Sequence, residues 1–349
     1  MLYLKYRPQT ISEIDNSSVK ERIISIIGAK KLPHAFLLVG PKGTGKTSTA
    51  RIIAKSINCE NNKRGTGTES FEPCNACATC KAITAGTSID IVEIDGASNR
   101  RIDDIRELNT NVKFMPVLAR YKVYIIDEVH MLTTEAFNAL LKTLEEPPAH
   151  VIFILATTEE NKLPKTVKSR CVEIQFTKAT QSDLISSLKR VCIGENVSVD
   201  RATLELVAKH SDFAFRDAHK LLEELLVANA TTVEKASVLL GLSTLDNDLL
   251  SLIEKKDIKK IFELLEHFES KGGSFKMLIE SMLNTLHVLL LKQKGIEKEG
   301  AKELEYTFNT AQVIFLMRLL QESYRDLKFA PIEVIPLEIA LVEYFSKEM

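Results

Sequence analysis

Eight consecutive residues, Gly40-Pro41-Lys42-Gly43-Thr44-Gly45-Lys46-Thr47, have the spacing G-x-x-x-x-G-K-T. Glycine at three of these positions lets the backbone curl until its N–H groups converge on one anion. Lys46 adds a mobile positive charge for β and γ phosphates, and Thr47 adds a hydroxyl suited to a magnesium ion. The flanks fit this use. His34–Val39 reads as a buried strand, and Thr47–Ile57 reads as a helix whose N-terminus attracts anions. Gly40 through Ser48 are therefore expected to hold the phosphates of ATP with Mg2+.

A second group of residues could supply the chemistry. Val123–Ile126 is an apolar run that ends in Asp127 and Glu128. Asp127 would hold magnesium directly or through water, and Glu128 would polarise an attacking water. A further apolar run, Val151–Ala156, ends in Thr157 and Thr158. A hydroxyl there would lie beside the acidic strand and could bond the γ-phosphate or the water. Thr158 is the preferred residue and Thr157 the alternative. His130 is expected to be a packing or surface histidine.

Four of the six cysteines are clustered: Cys59, Cys74, Cys77 and Cys80. C-x-x-C-x-x-C spacing brings thiolates together, and a fourth thiolate completes a tetrahedral Zn2+ site with no open position; an iron–sulfur cluster or unliganded thiols are the alternatives. Cys59, at the end of the phosphate-loop helix, is the natural fourth ligand. The segment between Cys59 and Cys74 is polar and reads as a surface excursion. Cys171 and Cys192 lack ligand spacing and are expected to pack.

These groups need a scaffold. At 349 residues the chain can bury substantial cores in two or three domains. A net charge of −1 gives no global sign of a nucleic-acid or membrane partner, so any such surface must be local. The apolar runs are too short to span a bilayer, and residues 1–10 do not read as a signal peptide. A cytoplasmic protein is expected. Expected strands are Ala35–Val39, Asp90–Ile94, Lys122–Ile126, Val151–Ala156 and Val172–Phe176, alternating with helices such as Arg101–Val112 and Glu135–Glu146. Such alternation implies an α/β parallel sheet covered on both faces. Beyond about residue 178 only helical periodicity remains: Gln181–Cys192, Asp200–His210 and Phe215–Val227, then Asp248–Glu254, Ile258–Glu269, Phe275–Gln293, Asn309–Leu327 and Glu333–Phe345. The expected domains are a core at 1–177 with a cysteine module near 59–80, a helical lid at 178–243 and a helical domain at 244–349. A turn is expected at Lys271-Gly272-Gly273-Ser274, and a short polar connection at Ser243–Asp248.

Taken together, the segments resemble the AAA+ P-loop ATPases. More narrowly they resemble the gamma/tau family of bacterial DNA polymerase III, the ATPases of the sliding-clamp loader. The resemblance rests on Tyr6-Arg7-Pro8-Gln9, the phosphate loop, the cysteine quartet and Glu93–Ser98. It continues through Tyr124–Leu132, Phe137–Pro148, Leu155–Thr158 and Ser169-Arg170-Cys171. It implies that Arg170 is an arginine finger acting on a neighbouring subunit's γ-phosphate, and that Arg216 contacts phosphates from the lid. It places Tyr6, Arg7 and Pro8 beside the adenine base and makes the last helical domain an oligomerisation collar. The implied partners are other clamp-loader subunits and self-copies, the sliding clamp and primed-template DNA, with no membrane. The chain departs from the family pattern at Phe215 and at Ile14-Asp15-Asn16. Its end at Met349 resembles the shorter gamma form. Another AAA+ motor, such as a branch-migration helicase, would lack the cysteine module. A non-catalytic nucleotide-binding scaffold would be expected to have lost Lys46, Asp127, Glu128 or Arg170.

The stretch from Gly96 to Lys122 carries six cationic and three acidic residues, a local excess of +3. Ser98, Asn99 and Arg100 are the candidates for contacts with a DNA backbone; a solvated helix face is the alternative.

Overall fold

The computed structural model describes residues 1–29, 31–62, 71–239, 245–270, 273–296 and 306–348. Most of the expected excursion between Cys59 and Cys74 therefore lies outside the described residues, as do Lys271 and Gly272 of the expected turn and the first part of the Ser243–Asp248 connection. Packing divides the chain into two compact units: Met1–Ser198 with Val207–Glu224, and Val199–Leu206 with Leu225–Met349.

The first unit is built on five strands among the described residues: β1 (Ala35–Val39), β2 (Ile91–Asp95), β3 (Lys122–Asp127), β4 (Val151–Thr157) and β5 (Val172–Gln175). Their order is β2-β3-β4-β1-β5 and every pairing is parallel. β1 and β4 are buried along their whole length, which is why they read as unbroken apolar runs rather than as alternation. Phe36 and Leu38 face the phosphate-loop helix, Lys46–Asn58, through Ile52 and Ile53. Ala35, Leu37 and Val39 face the opposite layer, where Phe137, Leu140 and Leu144 of the helix Thr134–Glu145 pack. Thr133 caps that helix by accepting from Ala136 N, so helix and strand ends are fixed by local chemistry.

Asp90 corrects the expected start of β2. It precedes the strand and is buried, and its carboxylate accepts 2.8 Å bonds from the backbone N–H groups of Val117, Leu118 and Ala119. These bonds pin the loop that leads into β3. They also hold the Asp90 carboxyl below its usual range, against the opposing effect of its burial.

The second unit is helical. Leu245–Glu254, Ile258–Ser270, Phe275–Gln293, Thr310–Asp326 and Ile335–Glu348 bury one continuous core that includes Leu265, Ile279, Leu286, Leu316 and Tyr344. Asn309 and Gln312 form a reciprocal cap at the start of the fourth of these helices. No helix among the described residues is long and apolar enough to cross a membrane.

Candidate nucleotide site and cysteine cluster

Parallel strands aim their C-terminal ends at one edge of the sheet, and the reactive groups collect there. β1 runs into the phosphate loop, β3 ends at Asp127 and β4 at Thr157. The loop is tight against its surroundings. Gly40 has φ +153°, and a Cβ there would lie 2.3 Å from Phe176 O, the residue after β5. Gly45 has φ +96° and starts the phosphate-loop helix in a left-handed conformation that a side chain would strain.

Lys46 is buried, and its ammonium donates to Gly40 O at 2.7 Å and Pro41 O at 2.8 Å. Burial lowers its pKa, while Glu128 and Asp127 favour its charged form. Thr47 Oγ1 donates to Asp127 Oδ2 at 2.6 Å, which brings a hydroxyl and a carboxylate to one point. That pairing of oxygens suits Mg2+, and the loop's N–H groups suit polyphosphate. Arg7, Lys42 and Arg216 join Lys46 around the cavity. Burial lowers the Arg7 pKa, and Arg51 and Arg216 lower it further against the opposing charge of Glu93.

Glu128 takes a left-handed backbone conformation, φ +47°, at the end of β3. Gly96 makes room for it: Gly96 N donates to Asp127 O at 2.8 Å, and a Cβ there would sit 2.7 Å from Glu128 O. Thr158 Oγ1 donates to Glu128 Oε2 at 3.1 Å. The Thr157 hydroxyl is buried 3.1 Å from His130 Nδ1. The expectation for His130 is a packing or surface histidine, and it is packed. It is almost fully buried and polar in its contacts, 3.4 Å from Glu128 Oε2 and 3.3 Å from Glu159 Oε1. Its closeness in sequence to Glu128 was the one available signal.

The part of the cavity away from the phosphate loop is lined by Tyr6, Arg7, Pro8 and Ile14-Asp15-Asn16, and by Ser187, Phe215 and His219 from the following helices. Arg190 Nη2 bonds Asp15 Oδ2 at 2.7 Å, tying the N-terminal segment to the helix Gln181–Gly194. Ser187 Oγ lies 3.0 Å from His219 Nε2. Burial, reinforced by Arg190, pushes the His219 pKa down to about 4. Sequence reasoning missed His219, Ser187 and Arg190, since only the tertiary fold brings them to the cavity. Arg216, in the helix Phe215–Val227, has its guanidinium 5.9 Å from the Tyr3 ring centre.

Four expected residues lie apart from this centre. Arg170 follows the short helix Lys165–Lys168, where it bonds Glu145 Oε1 and, at 2.6 Å, Thr166 O. Ser98 and Arg100 are exposed, and Asn99 is partly so. Their turn is organised by Asp95, which accepts from Ala97 N and Ser98 Oγ at 3.0 and 2.8 Å.

The sulfur atoms of Cys59, Cys74, Cys77 and Cys80 all lie within 4.8 Å of one another. Backbone N–H groups point at them: Cys77 N at 3.3 Å from Cys74 Sγ, Cys74 N at 3.4 Å from Cys59 Sγ, and Cys80 N at 3.4 Å from Cys77 Sγ. The Ala76 and Cys77 N–H groups bring the Cys74 thiol down to about 6, while burial pushes Cys80 up. Four converging sulfurs with N–H support are a donor set that fits Zn2+. Cys171 is pushed up to about 12 by burial and packs under the sheet, and Cys192 is buried.

The chain is 34% identical to the DNA polymerase III subunit gamma of Buchnera aphidicola (Acyrthosiphon pisum), covering 99% of this chain and 98% of that one. The chain belongs to the DNA polymerase III gamma/tau family. It is also 36% identical to the Bacillus subtilis DNA polymerase III subunit tau, over 98% of this chain and 62% of that one, so it spans under two thirds of that relative. The family model for DNA polymerase III, delta subunit, matches residues 15–180, which contain the phosphate loop, both acids and the cysteines. Among solved structures, the Thermotoga maritima RuvB Holliday junction branch migration motor aligns at 24% identity and TM-score 0.50, over 71% of this chain and 79% of that one. That likeness concerns the fold alone.

Proposed function

We propose that this chain is the ATP-hydrolysing subunit of a clamp loader, which uses ATP to open a sliding clamp and load it onto primed DNA during replication. The observation that carries the reading is the convergence of Lys46, Thr47, Asp127 and Glu128 at one sheet edge in a member of the gamma/tau family.

The phosphate loop holds the β and γ phosphates through its N–H groups, and Lys46 exchanges its carbonyl partners for phosphate oxygens. Thr47 and Asp127 would hold Mg2+, which neutralises phosphate charge. Glu128, oriented by Thr158, accepts a proton from the attacking water. The new P–O bond forms as the bond from the γ-phosphorus to the β–γ bridging oxygen breaks, giving ADP and phosphate. Arg216 stabilises the phosphates from the lid side. Arg170 leaves Glu145 and reaches the site of a neighbouring subunit, so turnover depends on assembly. Tyr6, Arg7 and Pro8 meet the adenine. Cys59, Cys74, Cys77 and Cys80 hold a structural Zn2+, and Ser98, Asn99 and Arg100 contact DNA phosphates.

The functional division we infer is a core at 1–177, a lid at 178–243 and an oligomerisation collar at 244–349. The protein works in the cytoplasm with other loader subunits and copies of itself. The test is steady-state ATP turnover by the chain assembled with its partner subunits, with clamp and primed DNA added separately and together. Strong stimulation by both, lost in Arg170→Ala, is expected. Turnover indifferent to clamp and primer would point to a different AAA+ motor.

A further inference from the structure

The residues around the cysteine cluster make more contacts than a self-contained metal knuckle requires. Glu72, two residues before Cys74, accepts the backbone N–H of Ile11 at 2.7 Å with Oε2 and that of Ser12 at 2.7 Å with Oε1. Both donors belong to the irregular N-terminal segment. Next to Glu72, the carbonyl of Phe71 accepts from Ser56 Oγ of the phosphate-loop helix, and the Phe71 ring packs beside Gly28.

A second tie runs through Lys55. This side chain is almost fully buried, yet the partners of its ammonium are neutral: Gln9 Oε1 at 2.7 Å, Asn75 Oδ1 at 2.7 Å and Thr84 Oγ1 at 3.3 Å. Asn75 lies between Cys74 and Cys77. Thr84 is on the helix Ala78–Ala85, which begins beside Cys77, and its hydroxyl also bonds Cys80 O at 3.0 Å. Gln9 reaches back to Arg7 O at 3.1 Å. A buried ammonium is costly unless its hydrogen bonds are satisfied, so Lys55 fixes three separate pieces of chain at one point.

Both ties end on residues 7–12, continuous with Tyr6, Arg7 and Pro8 and with Ile14-Asp15-Asn16, which line the nucleotide cavity. The segment has little regular structure of its own to hold it there. We propose that the cysteine module is a brace for the base-side wall of the nucleotide pocket, with Glu72 and Lys55 as positioning residues. This rests on the nucleotide reading above. The brace sets affinity for the nucleoside part of ATP and leaves triphosphate binding to the phosphate loop.

The experiment is calorimetric titration of the full chain with Mg-ATP and, separately, with inorganic tripolyphosphate, together with zinc content by atomic absorption. Wild type, Glu72→Ala, Lys55→Met and Lys46→Ala are compared. Glu72 is only partly buried, so its truncation leaves the core intact. The expected result for Glu72→Ala is roughly tenfold weaker ATP binding, tripolyphosphate binding within about twofold of wild type, and zinc retained. Lys55→Met gives the same split. Unchanged ATP affinity in both variants, with wild-type binding that Lys46→Ala abolishes, overturns the brace alone. Equal weakening of ATP and tripolyphosphate also overturns it, because a general loss of structure has no preference for the nucleoside. A wild-type chain that binds neither ligand sinks the nucleotide reading and the brace together.

Discussion

The phosphate end and the base end of the cavity are built by different means. At the phosphate end, each group is delivered by the end of a buried strand or the start of a helix: the phosphate loop by β1, Asp127 by β3 and Thr157-Thr158 by β4. Backbone hydrogen bonds across the sheet fix their spacing. At the base end, the wall is an irregular segment held by side chains from elsewhere: Glu72, Lys55 and Arg190. The difference teaches where precision comes from. On the proposed reading, charge that must meet a transition state sits on the rigid sheet edge, while recognition of the base depends on long-range polar contacts that one substitution can loosen.

The comparison can be broken first at Glu128. With Glu128 as the proposed general base, Glu128→Gln should cut turnover about 10³-fold with ATP affinity nearly unchanged, as read by steady-state kinetics and direct titration. A comparable loss of affinity would mean that the phosphate end does not separate chemistry from binding.

At the base end, His219 offers a test by pH. Its pKa falls from the ordinary 6.5 to about 4 on folding, so below pH 6.5 the unfolded chain takes up a proton that the native one refuses. The associated stability is complete above pH 6.5 and is lost progressively as pH falls towards 4. Its size is about 3 kcal/mol, and urea midpoints at several pH values should show it. His219→Gln should flatten that part of the profile.

Thr158→Val sharpens the phosphate-end account. Removing the hydroxyl that orients Glu128 should slow turnover about tenfold, close to the worth of one hydrogen bond to a charged group. Base-side affinity should not respond. Arg190→Met should have the smallest effect, about 1 kcal/mol of stability by thermal melting, because Arg190 is half-exposed although its partner Asp15 is buried.

The two ends also differed in how far they could be read in advance. The expected strands agree with the observed ones to within a residue at each end, because fully buried parallel strands leave continuous apolar runs. The loop at 40–47 and the converging cysteines were visible because their chemistry is local in sequence. Glu72, Lys55, Arg190 and His219 were not, since each acts on residues tens or hundreds of positions away and carries no local mark. Asp90 shows the same limit at short range. Beside the β2 run it counted as strand, yet its carboxylate serves the loop before β3.

The most direct measurement sets the two ends against each other in one experiment: ATP affinity and saturating turnover for Glu128→Gln and Glu72→Ala within the same assembled loader, with clamp and primed DNA present. The expected outcome is a crossed pattern. Glu128→Gln keeps its affinity and loses turnover, whereas Glu72→Ala loses affinity and keeps turnover at saturating ATP. If both variants lose the same quantity, the division of labour between sheet edge and braced segment is contradicted.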